Sequence, residues 1–130
     1  LSKELTYIEK YIELQKIRSS NPTYVNYVLE GNANNLLIEP MLFIPFIENA
    51  FKYGISTVQK TFIEISITMT GGILKLNVKN TAVGKPVIDE GGIGLHNVKS
   101  RLRLLYPKRH KLECICRNNE YNVSLELDLS

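Results

Sequence analysis

The pattern of apolar and polar residues predicts that the chain begins with an amphipathic helix. Apolar residues recur every three or four positions, as on one face of a helix, at Leu1, Leu5, Ile8 and Ile12. The polar cluster at residues 19–22 ends this pattern. Residues 24–30 then alternate between apolar and polar, which predicts a strand, and the glycine and asparagines of residues 31–35 predict a turn.

A second helix is predicted from Pro40 to about Tyr53, because the apolar segment there ends at Gly54. Pro45 lies inside this segment. Proline lacks the N–H group that a helix interior uses, so we expect Pro45 to kink the helix or to delay its start.

A β-hairpin and a long loop follow this helix. Residues 62–70 and 73–79 are rich in β-branched and aromatic side chains, and Gly71 and Gly72 between them are a strong hairpin signal. Residues 80–94 are polar and contain several glycines. They predict a long mobile loop of the kind that often carries function.

A third helix is predicted over residues 95–106, and Pro107 ends it. Its apolar face carries Leu95, Val98, Leu102 and Leu105. Residues 111–117 and 121–129 predict a second hairpin. The order of these elements indicates an α+β fold, a two-layer sandwich in which helices cover one face of a mixed, mostly antiparallel sheet.

Composition and charge narrow the class of protein. The 130 residues suffice for one domain, and no segment approaches the roughly 20 apolar residues that a membrane helix needs. The net charge of +3 comes from dispersed lysines and arginines, which argues against nucleic acid as a partner. Cys114 and Cys116 are expected to be reduced and to lie on the same face of a strand.

Two polar clusters inside apolar segments indicate a ligand site. Asn49, Lys52 and Tyr53 project from the second helix, and a buried asparagine without partners costs roughly 1 to 3 kcal/mol. Gly92 and Gly94 open the third helix, where free backbone N–H groups and the positive end of the helix dipole favour an anion. Together the clusters suggest a nucleoside triphosphate with its metal ion.

These segments resemble the catalytic ATP-binding domain of sensor histidine kinases, and in particular of the LytS type. The resemblance extends over essentially the whole chain. It rests on an Ile-Glu-Leu-Gln motif at residues 12–15, an asparagine box around Asn49, and a glycine box with its following helix at residues 92–102. It implies a Bergerat-type (GHKL) fold, binding of ATP and Mg²⁺, and histidine kinase activity.

The resemblance also implies the site residues. Asn49 would bind the Mg²⁺ ion and Glu48 would support its water shell or assist proton transfer, so these two are the predicted catalytic residues. The implied nucleotide contacts are Asn49, Lys52, Tyr53, Asn80, Gly92, Gly94, Leu95 and Asn97. Alternatives are a solvated side chain for Glu48 and Lys52, a core aromatic for Tyr53, and a helix cap for Asn97.

The chain departs from the family pattern at two positions. Asn80 stands where the family carries an aspartate that accepts a hydrogen bond from the adenine amino group, and Ala82 replaces a glycine. An amide oxygen can accept the same bond but without charge assistance. The alternative is that Asn80 only turns the chain at a strand end. Pro45 replaces a glutamate that activates water in related ATPases, so efficient hydrolysis of ATP by water is not expected.

The implied function is transfer of the γ-phosphate of ATP to a histidine outside this chain, in two-component signal transduction. Neither His96 nor His110 has the sequence context of the family's phosphoacceptor. Residues 1–20 are therefore expected to link an upstream dimerisation and phosphoacceptor segment to an ATP-binding domain at residues 21–130. The parent is expected to be a homodimeric bacterial inner-membrane sensor with a cytoplasmic kinase domain, and its further partner a response regulator.

Two other functions stay open at this point. A kinase that phosphorylates serine on a regulatory partner protein would use the same fold, although the helix starting at Leu1 favours the sensor kinase. A degenerate domain that no longer binds ATP and serves as an interaction module is favoured by the departures at Asn80 and Ala82.

Overall fold

The computed structural model describes residues 2–18, 23–31, 38, 42–54, 61–81, 93–117 and 119–129. These residues form three helices and five strands in the predicted order. They are α1 (Ser2–Arg18), β1 (Thr23–Gly31), α2 (Ile44–Gly54), β2 (Thr61–Thr70), β3 (Ile73–Thr81), α3 (Ile93–Leu105), β4 (His110–Arg117) and β5 (Glu120–Asp128). None of the three helices described has the length and apolar content needed to cross a membrane.

The strands form one sheet in the order β1-β2-β3-β5-β4. Strand β1 runs parallel to β2, and the other three pairings are antiparallel. The prediction of a mixed, mostly antiparallel sheet is therefore confirmed. The parallel pair requires a crossover connection, and α2 lies within it. Strands β1 and β4 are left at the two edges.

Gly71 and Gly72 form the tight turn between β2 and β3. Thr70 pairs with Ile73 across the hairpin, and both glycines have positive φ angles, 58° and 81°. Positive φ at both central residues is typical of a type I′ turn, whose twist matches that of the flanking strands. The hairpin predicted from the glycine pair is confirmed.

The core lies between one face of the sheet and the helices. Every second side chain of β3 and β5 is buried, and pairing aligns these side chains in rows such as Ile65–Val78–Val123. The helices contribute Leu5, Ile8 and Ile12 from α1, Phe46, Ile47, Ala50 and Phe51 from α2, and Val98 and Leu102 from α3. Burial of each large apolar side chain stabilises the fold by about 1.5 to 3 kcal/mol, which holds the helices on this face.

Helix α1 packs beside α2. The backbone N–H of Phe43 donates to the buried carboxylate of Glu4 at 3.4 Å, and Tyr11 meets Phe51 edge to face with ring centroids 5.8 Å apart. Because the contacts occur in the same order along both segments, α1 and α2 run in the same direction. The apolar side chains of α1 thus belong to the same core as those of the other helices and the sheet. The role of α1 as a link to an upstream segment stays a prediction.

Helix α2 begins at Ile44, so Pro45 is its second residue and delays the start of the helix. The predicted start at Pro40 lies outside the described residues. Proline is tolerated in a first turn because the N–H groups there have no partner within the helix. The carbonyl of Phe43 accepts the first bonds, from the N–H groups of Phe46 and Ile47 at 3.0 and 3.3 Å.

Helix α3 begins at Ile93, two residues earlier than predicted, so Gly94 belongs to the helix and not to the loop before it. The prediction that Leu105 lies on the buried face is wrong, because Leu105 is 43% exposed. Tyr106, just past the end of the helix, is buried in its place. Most of the predicted mobile loop, residues 82–92, lies outside the described residues.

Gly31 is the last residue of β1 and lies close to the backbone of Met69 on β2. A substitution at Gly31 therefore tests the β1–β2 pairing. The φ angle of Gly31 is 105°, and a Cβ atom there would overlap the Met69 carbonyl oxygen. We expect Gly31→Ala to lower the free energy of unfolding by about 3 kcal/mol, as measured by urea denaturation. Gly71→Ala is the matched control: its φ is 58°, but a Cβ atom there would meet no heavy atom within 4 Å beyond the neighbouring residues, so a loss of about 1 kcal/mol is expected. Equal losses would contradict the close approach at Gly31.

Tyr27 on β1 is expected to make the free energy of unfolding depend on pH in the alkaline range. Burial, with a smaller contribution from the charge of Glu9, raises the pKa of Tyr27 from 10.0 to about 12. The unfolded chain therefore loses this proton first, and the free energy of unfolding should fall as pH rises above about 10 and level off above about 12. Tyr27→Phe should remove this component, so the difference in unfolding free energy between the two proteins should change with pH only in that range.

The same variant has an expected effect at neutral pH. The Tyr27 hydroxyl is buried and has no hydrogen-bond partner in the described part of the chain. Its removal should leave stability at pH 7 unchanged or raised, because an unpaired buried hydroxyl is unfavourable. Parallel pH curves for the two proteins, or a clear loss of stability at pH 7, would contradict this account.

Candidate functional site

Asn49 places an unpaired amide oxygen on the buried side of α2. The residue is 6% exposed, and its Oδ1 atom has no hydrogen-bond partner among the residues that the structure describes. Its neighbours on the helix, Phe46 and Ala50, are buried core residues. Mg²⁺ prefers hard oxygen ligands, and a neutral amide oxygen is one of them. The Oδ1 atom of Asn49 therefore fits a metal ligand better than a packing group.

A second buried amide lies near the end of β3. Asn80 is 1% exposed, its Nδ2 donates to the Thr81 carbonyl at 3.0 Å, and its Oδ1 has no partner in the described structure. Since only the amino group can donate, the bond to Thr81 fixes the orientation of the amide. The Oδ1 atom is therefore offered as a hydrogen-bond acceptor.

The strand continues past Asn80, which corrects one alternative from the sequence. Asn80 pairs with Ile63 of β2 and Tyr121 of β5, and β3 ends at Thr81. The interpretation that Asn80 only turns the chain at the strand end is therefore wrong. Pairing on both sides instead holds its side chain on the face of the sheet that the helices cover.

The two amides belong to the same layer of the fold. Helix α2 packs against β3 as well as β2, and Asn80 lies in the buried row Ile63–Asn80–Tyr121. A third unpaired amide oxygen, on Asn122, follows Tyr121 along β5 and so belongs to the opposite face of the sheet. Within the described ranges, Asn49 and Asn80 are thus two acceptors without partners between α2 and the sheet, as expected for residues that a ligand completes.

Glu48 and Lys52 differ from Asn49 in their surroundings. Both are exposed, and they lie four residues apart on α2, so they share one side of the helix. The structure therefore divides the predicted cluster into a buried amide and two exposed charges of opposite sign. Contact of these charges with a phosphate or metal stays a prediction.

The glycine box is described only from Ile93 onward. Gly94 lies in the first turn of α3, and Asn97 and His96 are exposed on the same helix. Because α3 begins at Ile93, Asn97 is its fifth residue, so the alternative that Asn97 caps the helix is wrong. The predicted site groups outside the described residues are Gly92 and the side chains of Tyr53 and Leu95.

Thr81 supports the site and was not identified from the sequence. Its carbonyl accepts from Asn80, and its Oγ1 accepts from the backbone N–H of Phe62 at 3.0 Å. The second bond ties the end of β3 to the start of β2. The only signal in the sequence was a hydroxyl residue directly after Asn80, which is too common to be specific.

His110 and the two cysteines lie elsewhere, on β4. The Nδ1–H group of His110 donates to the Tyr106 carbonyl at 2.7 Å, which gives this histidine a structural role. Cys114 and Cys116 are free, exposed and two residues apart on the strand, in agreement with the sequence prediction. Within the described ranges, no three His, Cys, Asp or Glu side chains come together as a metal site.

Comparison with characterised proteins identified relatives by sequence. The chain is 25% identical over 130 residues to the sensor histidine kinase BtsS of Escherichia coli K12, an alignment that covers 98% of this chain and 23% of that protein. It is 25% identical over 134 residues to the sensor protein kinase HptS of Staphylococcus aureus USA300, covering 92% of this chain and 26% of that protein. The chain thus spans about a quarter of the length of the relatives it matches.

Solved structures share the fold. A blue-light activated histidine kinase from Erythrobacter litoralis EL346 aligns with a TM-score of 0.73 at 17% identity, over 96% of this chain and 41% of that one. The catalytic domain of histidine kinase ThkA aligns with a TM-score of 0.57 at 14% identity, over 98% of this chain and 88% of that one. No model of a known protein family matches the chain. The chain is therefore related to the sensor histidine kinases and has the fold of a histidine kinase catalytic domain.

Proposed function

We propose that this chain is the ATP-binding catalytic domain of a sensor histidine kinase, which positions ATP so that its γ-phosphate passes to a histidine outside the chain. The observation that carries the proposal is the pair of buried amide oxygens, on Asn49 and Asn80, that have no partner among the described residues. The relationship to sensor histidine kinases supports it.

Asn80 is proposed to bind the adenine base. Its Oδ1 atom is buried and has no partner among the described residues, and the 3.0 Å bond from Nδ2 to the Thr81 carbonyl fixes the orientation of the amide. An acceptor held in this way favours a base that presents an amino group, as adenine does, and disfavours one that presents a carbonyl, as guanine does at the equivalent edge. Asn80 would thus orient the nucleotide and contribute to its selection.

Asn49 is proposed to lie at the phosphate end, where its Oδ1 would bind Mg²⁺. When bound, the ion would neutralise charge on the phosphate oxygens. Lys52 is an exposed cation one turn further along α2 and would meet a phosphate oxygen as a point charge. The first turn of α3, which contains Gly94, has backbone N–H groups without partners in the helix and a positive dipole end for the same phosphates.

The chain's own contribution to the reaction would be mainly positioning. Glu48, exposed beside Asn49, is proposed to orient water around the metal or to assist proton transfer to or from the reacting groups. His110 is engaged with Tyr106, and His96 is a surface residue of α3, so neither is proposed as the phosphoacceptor.

The remaining proposals concern the whole protein, because this chain spans about a quarter of the length of its relatives. We propose a bacterial, membrane-anchored homodimer whose kinase domain lies in the cytoplasm. An upstream segment, linked through α1, would carry the phosphoacceptor histidine and the dimer contact, and a response regulator would receive the phosphoryl group.

Asn49→Ala tests the metal end of the site. Calorimetric titration with a non-hydrolysable ATP analogue and Mg²⁺ should show binding by the unchanged chain, and the variant should bind at least about tenfold more weakly because a metal ligand is lost. Without Mg²⁺ the two proteins should bind with similar, low affinity. Asn77→Ala is the matched control, since Asn77 is an exposed asparagine of β3.

Two results would contradict the proposal. Mg²⁺-dependent binding unaffected by Asn49→Ala would remove Asn49 from the site. No binding of the analogue by the unchanged chain, at concentrations of several millimolar, would favour the degenerate interaction module. The free energy of unfolding should change little in Asn49→Ala, because the variant removes an unpaired buried oxygen.

Asn80→Asp tests the base end and the departure from the family pattern. A carboxylate accepts a charge-assisted bond about 1 kcal/mol stronger than an amide does, so the analogue should bind roughly fivefold more tightly. The same change removes the donor to Thr81 and buries a charge, so the free energy of unfolding should fall by about 2 kcal/mol. Asn77→Asp should alter neither quantity. Unchanged affinity in Asn80→Asp would show that the base does not contact residue 80.

A further inference from the structure

Among the residues that the structure describes, strand β4 leaves one long edge of the sheet open. It lies at the end of the strand order, and its eight residues pair with β5 in a continuous register without proline. Such an edge presents a row of unpaired backbone groups and is a template for pairing with another strand. Natural edge strands are usually shortened, bulged, charged or covered; β4 is neither shortened nor bulged, but it carries Lys111, Glu113 and Arg117.

The hydrogen bonds of β5 determine which residues of β4 face outward. The N–H of Asp128 donates to the carbonyl of Arg109 at 2.9 Å. Because bonded and non-bonded pairs alternate in an antiparallel ladder, the odd-numbered residues of β4 direct their backbone groups toward β5. The backbone groups of Leu112, Cys114 and Cys116 consequently point to the open edge.

The side chains of β4 are self-complementary about Ile115. Ile115 is 44% exposed, although it is a large apolar residue. Glu113 and Arg117 flank it on the same face, carry opposite charges, and form no ion pair within the described structure. Glu120, which stands opposite Arg117 in the register, pairs instead with Lys79 at 3.4 Å. Cys114 and Cys116 flank Ile115 on the other face and are exposed.

We propose that β4 pairs antiparallel with β4 of a second copy of this chain, with Ile115 opposite Ile115 of the second copy. This register sets Glu113 opposite Arg117 of the second copy, and Arg117 opposite its Glu113. It also sets Cys114 opposite Cys116 of the second copy, and the reverse. The exposed isoleucines cover each other, each charge meets its opposite, and the outward backbone groups of Cys114 and Cys116 form the hydrogen-bonded pairs.

Alternative pairings lack this complementarity. The opposite edge, β1, has Glu30 as its only charged residue, so it cannot form an ion pair with itself. A register about Cys114 sets Lys111 opposite Arg117 of the second copy, which is repulsive. A register about Glu113 sets that carboxylate opposite itself. A register about Leu112 pairs Lys111 with Glu113 but sets Ile115 opposite Arg109.

The contact is expected to be weak. It involves about five residues of each strand, well below the area of a stable protein interface, so a dissociation constant of about 0.1 to 1 mM is expected. It would become significant when two copies are held close together, since tethering produces effective concentrations in the millimolar range. The proposal does not depend on nucleotide binding.

Thiol cross-linking tests the register. Diamide oxidises two thiols to a disulfide and is itself reduced to the hydrazine, and opposite residues of a bonded antiparallel pair have Cα atoms about 5.5 Å apart, within disulfide range. Cys114→Ser retains only Cys116, and Cys116→Ser retains only Cys114. Neither variant alone brings two thiols opposite each other, but a mixture does. With a tag on one variant, the mixed disulfide should exceed each homodimer at least fivefold, and equal yields would overturn the register.

Charge exchange tests the contact without cysteine chemistry. In sedimentation experiments at 0.1 to 1 mM, roughly the expected dissociation constant, Arg117→Glu should weaken association at least tenfold. The double variant Glu113→Arg with Arg117→Glu should restore it, which a folding defect would not do. Lys111→Glu is the control, as this exposed charge on the same face meets no charge in the proposed register. The proposal would be overturned if the wild-type chain stayed monomeric at 1 mM, or if the double variant associated as weakly as Arg117→Glu.

Discussion

The packing of α2 onto β2 and β3 places two amides where water cannot easily satisfy them. The helix is held there by apolar side chains such as Phe46 and Ile47, and the sheet by its alternating buried residues. Asn49 and Asn80 interrupt these two apolar surfaces and are buried with them. Neither amide oxygen has a partner in the described part of the chain, and an unpaired one costs about 1 to 3 kcal/mol, which the core must offset. A ligand that bound both oxygens would remove the cost, so the fold favours the bound state.

The surrounding structure makes these positions rigid. Glu4 of α1 binds the backbone N–H of Phe43 directly before α2, and Tyr11 contacts Phe51 further along it. Thr81 fixes both the end of β3 and the orientation of the Asn80 amide. Preorganised acceptors lose little entropy when a ligand binds, so few polar contacts would suffice for the nucleotide proposed to bind here.

The sequence predicted the elements well and their exact ends less well. The Gly71-Gly72 turn and the helical stripe with Leu5, Ile8 and Ile12 were readable because each depends on local chemistry or periodicity. The boundary at Asn80 was not, since pairing with β2 and β5 carries the strand past a residue that locally favours a turn. The burial of Leu105 was also predicted wrongly, because Tyr106, just beyond the helix end, is buried instead. The amide at Asn49 was expected to need a partner, but the role of Thr81 required the three-dimensional structure.

The most direct test of the central claim is the response of the Asn49 and Asn80 side-chain amide signals in NMR spectra when a non-hydrolysable ATP analogue and Mg²⁺ are added. Both amide signals should shift at saturation, and replacing Mg²⁺ with paramagnetic Mn²⁺ should broaden the Asn49 signal far more than that of the exposed Asn77. If neither amide responds to the saturating nucleotide, these buried oxygens are not the ligand site, and the account of this domain as an ATP-binding kinase domain fails.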